Sequence, residues 1–276
     1  MTEKATFAKN LSQFVTGLAN HVSTDDGQWT IKGFVDIFKN VYTLSSDTKI
    51  ISKILEIHLF PQILHFADAH GYRVVLANHQ NYYPDISFVK ADDASVKFAV
   101  DFKTTYRNLI KPHLCNGFTL GSHGEYFENR KSAKNIQYPY SEYQGHFCLG
   151  IIYDRMDGAT IDETRTHALD ELHAISSVVR NLQFFVVEKW QIASDKGGSG
   201  NTANIGSINN IDDIIHGRGM FSQLGESWFD DYWMNYQKIT IADGKGGTKK
   251  ISTLAEFVAY RKGDVALVVG KRKTVP

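Results

Sequence analysis

Two neighbouring segments alternate apolar and polar residues with the period of a β-strand. In Tyr83-Pro84-Asp85-Ile86-Ser87-Phe88-Val89, the apolar Ile86 and Phe88 alternate with Asp85, Ser87 and Val89. In Val96 to Lys103, one face carries Val96, Phe98, Val100 and Phe102, and the other carries Lys97, Ala99, Asp101 and Lys103. This is strand patterning. Ala91-Asp92-Asp93-Ala94-Ser95 between the segments has turn composition, so the pair predicts a hairpin. Centring the turn on Asp93 pairs Ile86 with Val100 and Phe88 with Phe98 on the apolar side. On the other side, Asp85 then faces Asp101. Elsewhere the spacing of Phe7, Leu11, Phe14, Val15, Leu18 and Val22 predicts a packed helix face. Trp29 to Tyr42 is apolar without a clear period. Ser46-Asp47 is a helix N-cap signal ahead of a buried stripe of Ile50, Ile51, Ile54, Leu55 and His58, with Lys49, Ser52, Lys53 and Glu56 on another side. Pro61 ends or kinks that helix, or opens a second one running to Ala69, and Gly71 marks the stop. Arg73 to Ala77, Phe147 to Tyr153 and Phe184 to Trp190 predict strands. Asp162 to Leu182 predicts a helix with Ala168, Leu169, Leu172, Ile175, Val179 and Leu182 inward.

Two long stretches lack a period. Thr104 to Asn135 is irregular and carries Arg107, Lys111, Arg130, Lys131 and Lys134. A cation cluster of this kind is either a solvated surface or a set of phosphate contacts. Ser194 to Ser207 is rich in glycine, serine and asparagine. It reads as a flexible surface loop or as a loop whose backbone and short side chains enter a DNA groove. The spacing required of a phosphate-binding P-loop is absent.

Composition narrows the class. The chain has 276 residues, of which 42% are hydrophobic and 22% charged, with a formal net charge of zero. That length suits one large domain or two small ones, and no internal boundary stands out. No apolar run stands out as a membrane span. Cys115 and Cys148 are the two cysteines and form no CxxC pair, which disfavours structural zinc and makes a reduced, cytoplasmic location the default. With no net positive charge, DNA binding requires cations concentrated on one surface.

The hairpin carries the candidate chemistry. Cross-strand neighbours have Cβ atoms about 5 Å apart, so Asp85 and Asp101 repel, and folding gains nothing from placing them there. A divalent cation turns that repulsion into attraction, because hard cations take carboxylate oxygens. Lys103, two residues past Asp101 on the same face, is placed to stabilise a phosphate or a nucleophilic water. The competing reading is a surface hairpin with scattered charges. Pro-Asp, a gap, then Asp-x-Lys is the pattern of the PD-(D/E)xK nucleases.

More of the chain resembles one group of these enzymes, the type II restriction endonucleases of the EcoRV family. The resemblance rests on Ser46-Asp47-Thr48-Lys49 with Glu56, His70-Gly71-Tyr72, Gln80-Asn81, Tyr83-Pro84-Asp85, Asp101 to Tyr106, Lys134-Asn135-Ile136 with Tyr138-Pro139, Asp231-Tyr232-Trp233 and Asn235-Tyr236. Its clearest element is Gly198 to Ser207, which is similar to the family's recognition loop with alanine at one threonine position. It runs in order from Leu44 to Tyr236, and His79 stands where the family has glutamine.

The resemblance implies an α/β fold: a restriction-endonuclease-like core with a mixed β-sheet flanked by helices and an N-terminal dimerisation region. Residues 1–276 then form a single domain, with dimerisation in 1–43, the catalytic and DNA-binding core in 44–236 and a C-terminal extension in 237–276. It implies a homodimer that cuts double-stranded DNA at a short palindrome, GATATC with blunt ends, using Mg²⁺ with Mn²⁺ as a substitute. A separate methyltransferase would protect the host. By carry-over Asp85, Asp101 and Glu56 hold the metal and form the catalytic set with Lys103. Gly198, Ser199, Gly200, Asn201, Thr202 and Asn204 would read bases in the major groove, Gln80 and Asn81 would lie at the minor groove, and Lys49, Lys134, Thr104 and Thr105 would also contact DNA. The alternatives are another PD-(D/E)xK nuclease with different or no sequence specificity, and a catalytically silent DNA-binding protein.

Overall fold

A computed structural model of the chain describes residues 1–156, 162, 164–198, 203–244 and 246–269. The chain opens with α1 (Glu3–Val15) and α2 (Leu18–Val22) and a hairpin of β1 (Gly33–Val35) and β2 (Asn40–Thr43). The long α3 (Thr48–Ala69) follows, then β3 (Tyr72–Leu76), β4 (Ile86–Lys90), β5 (Lys97–Tyr106), β6 (Thr119–Ser122), β7 (Gly145–Arg155), β8 (Thr166–Ala168) and β9 (Val179–Glu188). The remainder comprises α4 (Lys189–Ile192), β10 (Ala193–Gly197), β11 (Asn204–Ser207), α5 (Ile211–Ile215), α6 (Glu226–Met234), β12 (Thr240–Ala242), β13 (Thr248–Lys250) and α7 (Leu254–Tyr260).

The central sheet runs β3-β4-β5-β7-β9, with β5 and β7 parallel and the other neighbours antiparallel. The expected mixed sheet flanked by helices is thus observed. The β4–β5 register pairs Ile86 with Val100 and Phe88 with Phe98, as the sequence pattern requires. Alternation along β5 sorts side chains to two cores. Phe98, Val100 and Phe102 join the cluster under α1 and α3, where Phe7 stacks on Phe98 with ring centroids 4.2 Å apart. Ala99, Cys148 and Val187 join a second cluster built with β6 and the helices α4 to α7. The polar face predicted for β5 is therefore not solvated, because a second layer covers its start and leaves Asp101 buried.

Helix α3 starts where the cap signal puts it, with Asp47 accepting from the N–H groups of Lys49 and Ile50. It buries Ile51, Ile54, Leu55, Leu59, Ile63, Phe66 and Ala67. One expectation changes here, and the alternatives at Pro61 narrow. Ile50 is exposed, and the helix continues through Pro61. The carbonyl that loses its donor to Pro61 belongs to Ile57, an exposed residue, so water replaces the lost bond cheaply. Gly71 ends this region at φ +73°. By length and composition α3 also matches a membrane span, which the sequence pattern had not suggested. Packing of its apolar stripe on the sheet accounts for that composition.

The predicted helix from Asp162 to Leu182 does not form. Thr166–Ala168 is a strand paired with β2, Leu169–Ala174 is a 3-10 segment, and β9 begins at Val179. Pairing of Val179 to Glu188 with β7 overrides a helical periodicity that no neighbouring helix uses. The segment from Trp29 to Tyr42 resolves into the β1–β2 hairpin. The ends of the predicted 194–207 loop are strands, so β10 and β11 form the stem of a ribbon that joins β6 in a three-stranded sheet.

Candidate active site and DNA-reading ribbon

The residues before β4 are fixed from outside the hairpin. Tyr83 N–H donates to the Asn135 carbonyl (3.0 Å) and the Tyr83 carbonyl accepts from Gln137 N–H (2.8 Å). Asp85 therefore leaves a clamped backbone and meets Asp101 across the β4–β5 pair. Asp85 N–H donates to Asp101 Oδ1 (3.1 Å), and Phe102 N–H donates to Asp85 Oδ2 (2.8 Å). Lys103 Nζ lies 2.7 Å from Asp101 Oδ2. The three residues singled out in the sequence thus form one contiguous site.

Its electrostatics are those of a crowded acidic pair. Burial, with the Asp101 charge next, pushes the Asp85 carboxyl up from 3.8 to about 7, against a smaller opposing pull from Lys103. Burial opposes the Lys103 charge, but the Asp101 and Asp85 carboxylates outweigh it and hold the ammonium above the ordinary lysine range. Two acceptor-only carboxylates, one of them costly to ionise, are the donor chemistry that a hard divalent cation satisfies. The residues therefore fit such an ion.

The remaining predicted residues fall differently. Glu56 sits on α3 with its carboxylate 2.7 Å from Lys53 Nζ. Its charge reaches Asp85 and adds to the upward push there. Among the described residues no cluster of three potential metal ligands forms, so Glu56 is not brought into a ligand group with the two aspartates. Gln80 and Asn81 are exposed in the turn before Tyr83, and Lys49 is exposed on the first turn of α3. Thr104 is half-buried. Thr105 is buried, and its hydroxyl donates to the Asn116 carbonyl (2.8 Å). Lys134 is exposed and paired with Glu125 at 2.9 Å. Of the five cations left open between solvated surface and phosphate contact, two are structural. Arg107 binds Asp154, the Asn181 carbonyl and Gln183. Arg130 binds Asp230 at 2.8 Å between the rings of Phe127 and Tyr140.

Ser199, Gly200, Asn201 and Thr202 lie outside the described residues, but the base of their ribbon is defined. Gly198 N–H donates to the Asn204 carbonyl (2.8 Å), and His123 N–H donates to the Ala203 carbonyl (2.7 Å). Asn204 pairs with Ser122 of β6 and is half-buried. A Cβ on Gly206 would lie 2.6 Å from the Lys196 carbonyl oxygen, so this crossing requires glycine. Helix α6 and the turn after it brace the stem: Tyr232 Oη donates to the Asp195 carbonyl (2.7 Å), and Gly197 N–H donates to Tyr236 Oη (3.3 Å).

Sequence reasoning missed Lys189. It starts α4 at the end of β9 and is buried among aromatic rings. The available signal was a lysine inside the apolar run Phe184 to Trp190.

An acidic pair and lysine on adjacent strands of a mixed sheet, next to a glycine-rich ribbon, define a nuclease of the restriction-endonuclease fold. The model of the family Restriction endonuclease EcoRV matches residues 25–262, a range that starts before and ends after the Leu44 to Tyr236 span of the motifs. The Type II restriction enzyme EcoRV of Escherichia coli is 36% identical over 222 residues, covering 80% of this chain and 88% of that enzyme. The chain belongs to the EcoRV restriction endonuclease family and is a type II site-specific deoxyribonuclease. Its substrate is DNA, and nucleases of this family generally use a divalent metal.

Proposed function

We propose that the chain is a Mg²⁺-dependent homodimer that cuts GATATC at its centre, leaving blunt ends. The observation that carries the reading is the Asp85–Asp101–Lys103 geometry beside the ribbon stem. Asp85 and Asp101 would hold Mg²⁺ or, in its place, Mn²⁺, with Glu56 as an auxiliary acidic group. The bound ion would supply Lewis acidity and lower the pKa of water at the scissile phosphate. Lys103 has its ammonium fixed by Asp101, so it enters the reaction pre-oriented. It stabilises charge developing on the phosphate without reorganisation. The clamp on Tyr83 keeps Asp85 in place while DNA binds.

Specificity is assigned to the segment from Gly198 to Asn204, whose asparagine amides both donate and accept, as base edges require. Gln80 and Asn81 would approach the minor groove, with Lys49, Lys134 and Thr104 near the backbone. Thr105 would act indirectly, since its hydroxyl is already bound to Asn116. The pyrimidine–purine steps of GATATC kink readily, which supports a contribution from DNA deformation.

A homodimer matches the two-fold symmetry of a palindrome. In the implied dimerisation region 1–43, the apolar face of α1 and α2 is turned inward, with Phe7, Leu11, Val15, Leu18 and Val22 buried in the chain's own core. Within residues 1–43 the better-suited surface is the β1–β2 hairpin, where Phe34, Val35, Ile37, Phe38 and Tyr42 are exposed. A partner methyltransferase modifying the same site would protect the host's DNA, placing the enzyme in the cytoplasm.

Digestion of a random-sequence duplex library with and without Mg²⁺, followed by sequencing of the ends, tests this reading. Blunt Mg²⁺-dependent ends centred on GATATC are expected. Another consensus refutes the sequence assignment, ends without consensus indicate an unspecific nuclease, and shifted but uncut DNA indicates a binder.

A further inference from the structure

Lys189 is 2% exposed, and its ammonium has no hydrogen-bond partner among the described residues. It faces three aromatic rings instead, 4.6 Å from the Tyr140 centroid, 4.9 Å from Tyr83 and 5.2 Å from Phe127. The cage is itself locked: His146 stacks on Tyr140 at 3.7 Å, and Tyr83 Oη and His146 Nδ1 share a hydrogen bond of 2.9 Å. A buried ammonium without a hydrogen-bond partner is expensive even with the Asp101 and Asp230 carboxylates acting for it, since Arg130 on the same rings acts against it. A neutral side chain of similar volume would stabilise the fold. Its position relates this cost to the acidic pair. The β5–β7–β9 register aligns Asp101 with Cys148 and Val187 in one cross-strand row. Ala99 aligns with His146 in the adjacent row of the same face, and Lys189 follows Glu188 at the end of that row. One cage wall, Tyr83, belongs to the clamped segment two residues before Asp85.

We propose that Lys189 is a positioning residue for the nuclease: its caged ammonium is a fixed positive charge behind Asp101 that weakens the grip of the acidic pair on its cation. Burial pushes Lys189 down to about 8, and the Asp101 carboxylate is the foremost charge resisting that push. The ammonium therefore remains charged at neutral pH and acts on Asp101 across the sheet. It cannot bind the cation or touch DNA from its buried place. A site that held its ion without this opposing charge would be tighter but less open to exchange with solvent.

The inference rests on the reading of Asp85 and Asp101 as cation ligands, and one experiment separates the two. Calcium is titrated calorimetrically into the whole protein, alone and bound to the cognate duplex identified by cleavage mapping. The proteins compared are wild type, Lys189→Met, Lys189→Gln and Lys189→Arg, each with its melting temperature measured. We expect both neutral variants to bind Ca²⁺ at least about tenfold more tightly, from one unit charge removed about two strand spacings and one row away. Lys189→Met should also melt above wild type, and Lys189→Arg should keep the wild-type affinity. Wild-type affinity in a folded Lys189→Met overturns the inference. So does Lys189→Arg behaving as the neutral variants do, since shape would then matter and charge would not. If both neutral variants fail to fold while Lys189→Arg folds, the charge serves the fold and the inference is likewise overturned. If wild type binds no Ca²⁺ in either state, the ligand reading falls and takes the inference with it.

Discussion

Replacing Asp85 with asparagine preserves the shape of the active site and removes one charge from it. The amide oxygen can still accept the Phe102 N–H, now held at 2.8 Å. What disappears is a carboxyl whose ordinary value of 3.8 is raised to about 7 in the fold, chiefly by burial. An acid with a raised pKa binds its proton more tightly folded than unfolded. Its contribution to stability therefore falls as pH rises from 3.8 towards 7, and the full penalty stands above pH 7. At about 1.4 kcal/mol per pH unit, that penalty approaches about 4 kcal/mol in metal-free protein. For a chain of this length it corresponds to about 7 °C in melting temperature. The assay is thermal and urea unfolding of wild type and Asp85→Asn in EDTA from pH 5 to 8. The difference between the two reports Asp85 together with its interactions with Asp101 and Lys103, because more distant titrating groups are shared. Asp85→Asn should be the more stable at pH 8, with an advantage that shrinks towards pH 5, and it should not cut DNA when Mg²⁺ is restored. Equal stability at pH 8, or an advantage that grows as pH falls, would refute the account of the acidic pair.

Lys103→Ala should lower cleavage by about 100-fold or more, because a charge aimed at the transition state is lost. It should still bind cognate DNA in Ca²⁺, as a gel shift would show; unchanged cutting at saturating protein would contradict the role given to Lys103. Gly206→Ala must displace the Lys196 carbonyl by pushing a Cβ to within 2.6 Å of it. It should cost about 1–3 kcal/mol and depress specific cutting more than nonspecific binding, measured by digestion and by salt-dependent affinity. Phe38→Asp, at a side chain 78% exposed on the β1–β2 hairpin, should shift the sedimentation coefficient from dimer to monomer with little change in melting; a persistent dimer would move the interface elsewhere.

The hairpin and the meeting of Asp85, Asp101 and Lys103 on it were legible in the sequence because strand alternation and a short turn admit one register that buries Ile86, Phe88, Phe98 and Val100. The α3 cap was legible because Asp47 acts locally on the next turn. What depended on distant partners was not. Val179 and Leu182 fit a helix pattern until β7 supplies a strand to pair with. Arg107 and Arg130 read as solvated or phosphate-contacting cations because their acidic partners, Asp154 and Asp230, are remote in the chain. Burial of Lys189 was invisible for the same reason: its cage comes from Tyr83, Phe127 and Tyr140.

The alternation along β5 also bears on what a measured activity means. Phe98, Val100 and Phe102 fill one core while Asp101 and Lys103 alternate with them in sequence. A slip of one residue would turn the phenylalanines toward the acidic site and drive Asp101 and Lys103 into the cluster around Phe7. Such a chain has no stable core, so folding proofreads the active site. Folded molecules with a misaligned catalytic strand should not accumulate. A preparation with reduced specific activity therefore reports a smaller folded fraction, and activity divided by cooperatively unfolding protein should be constant from batch to batch.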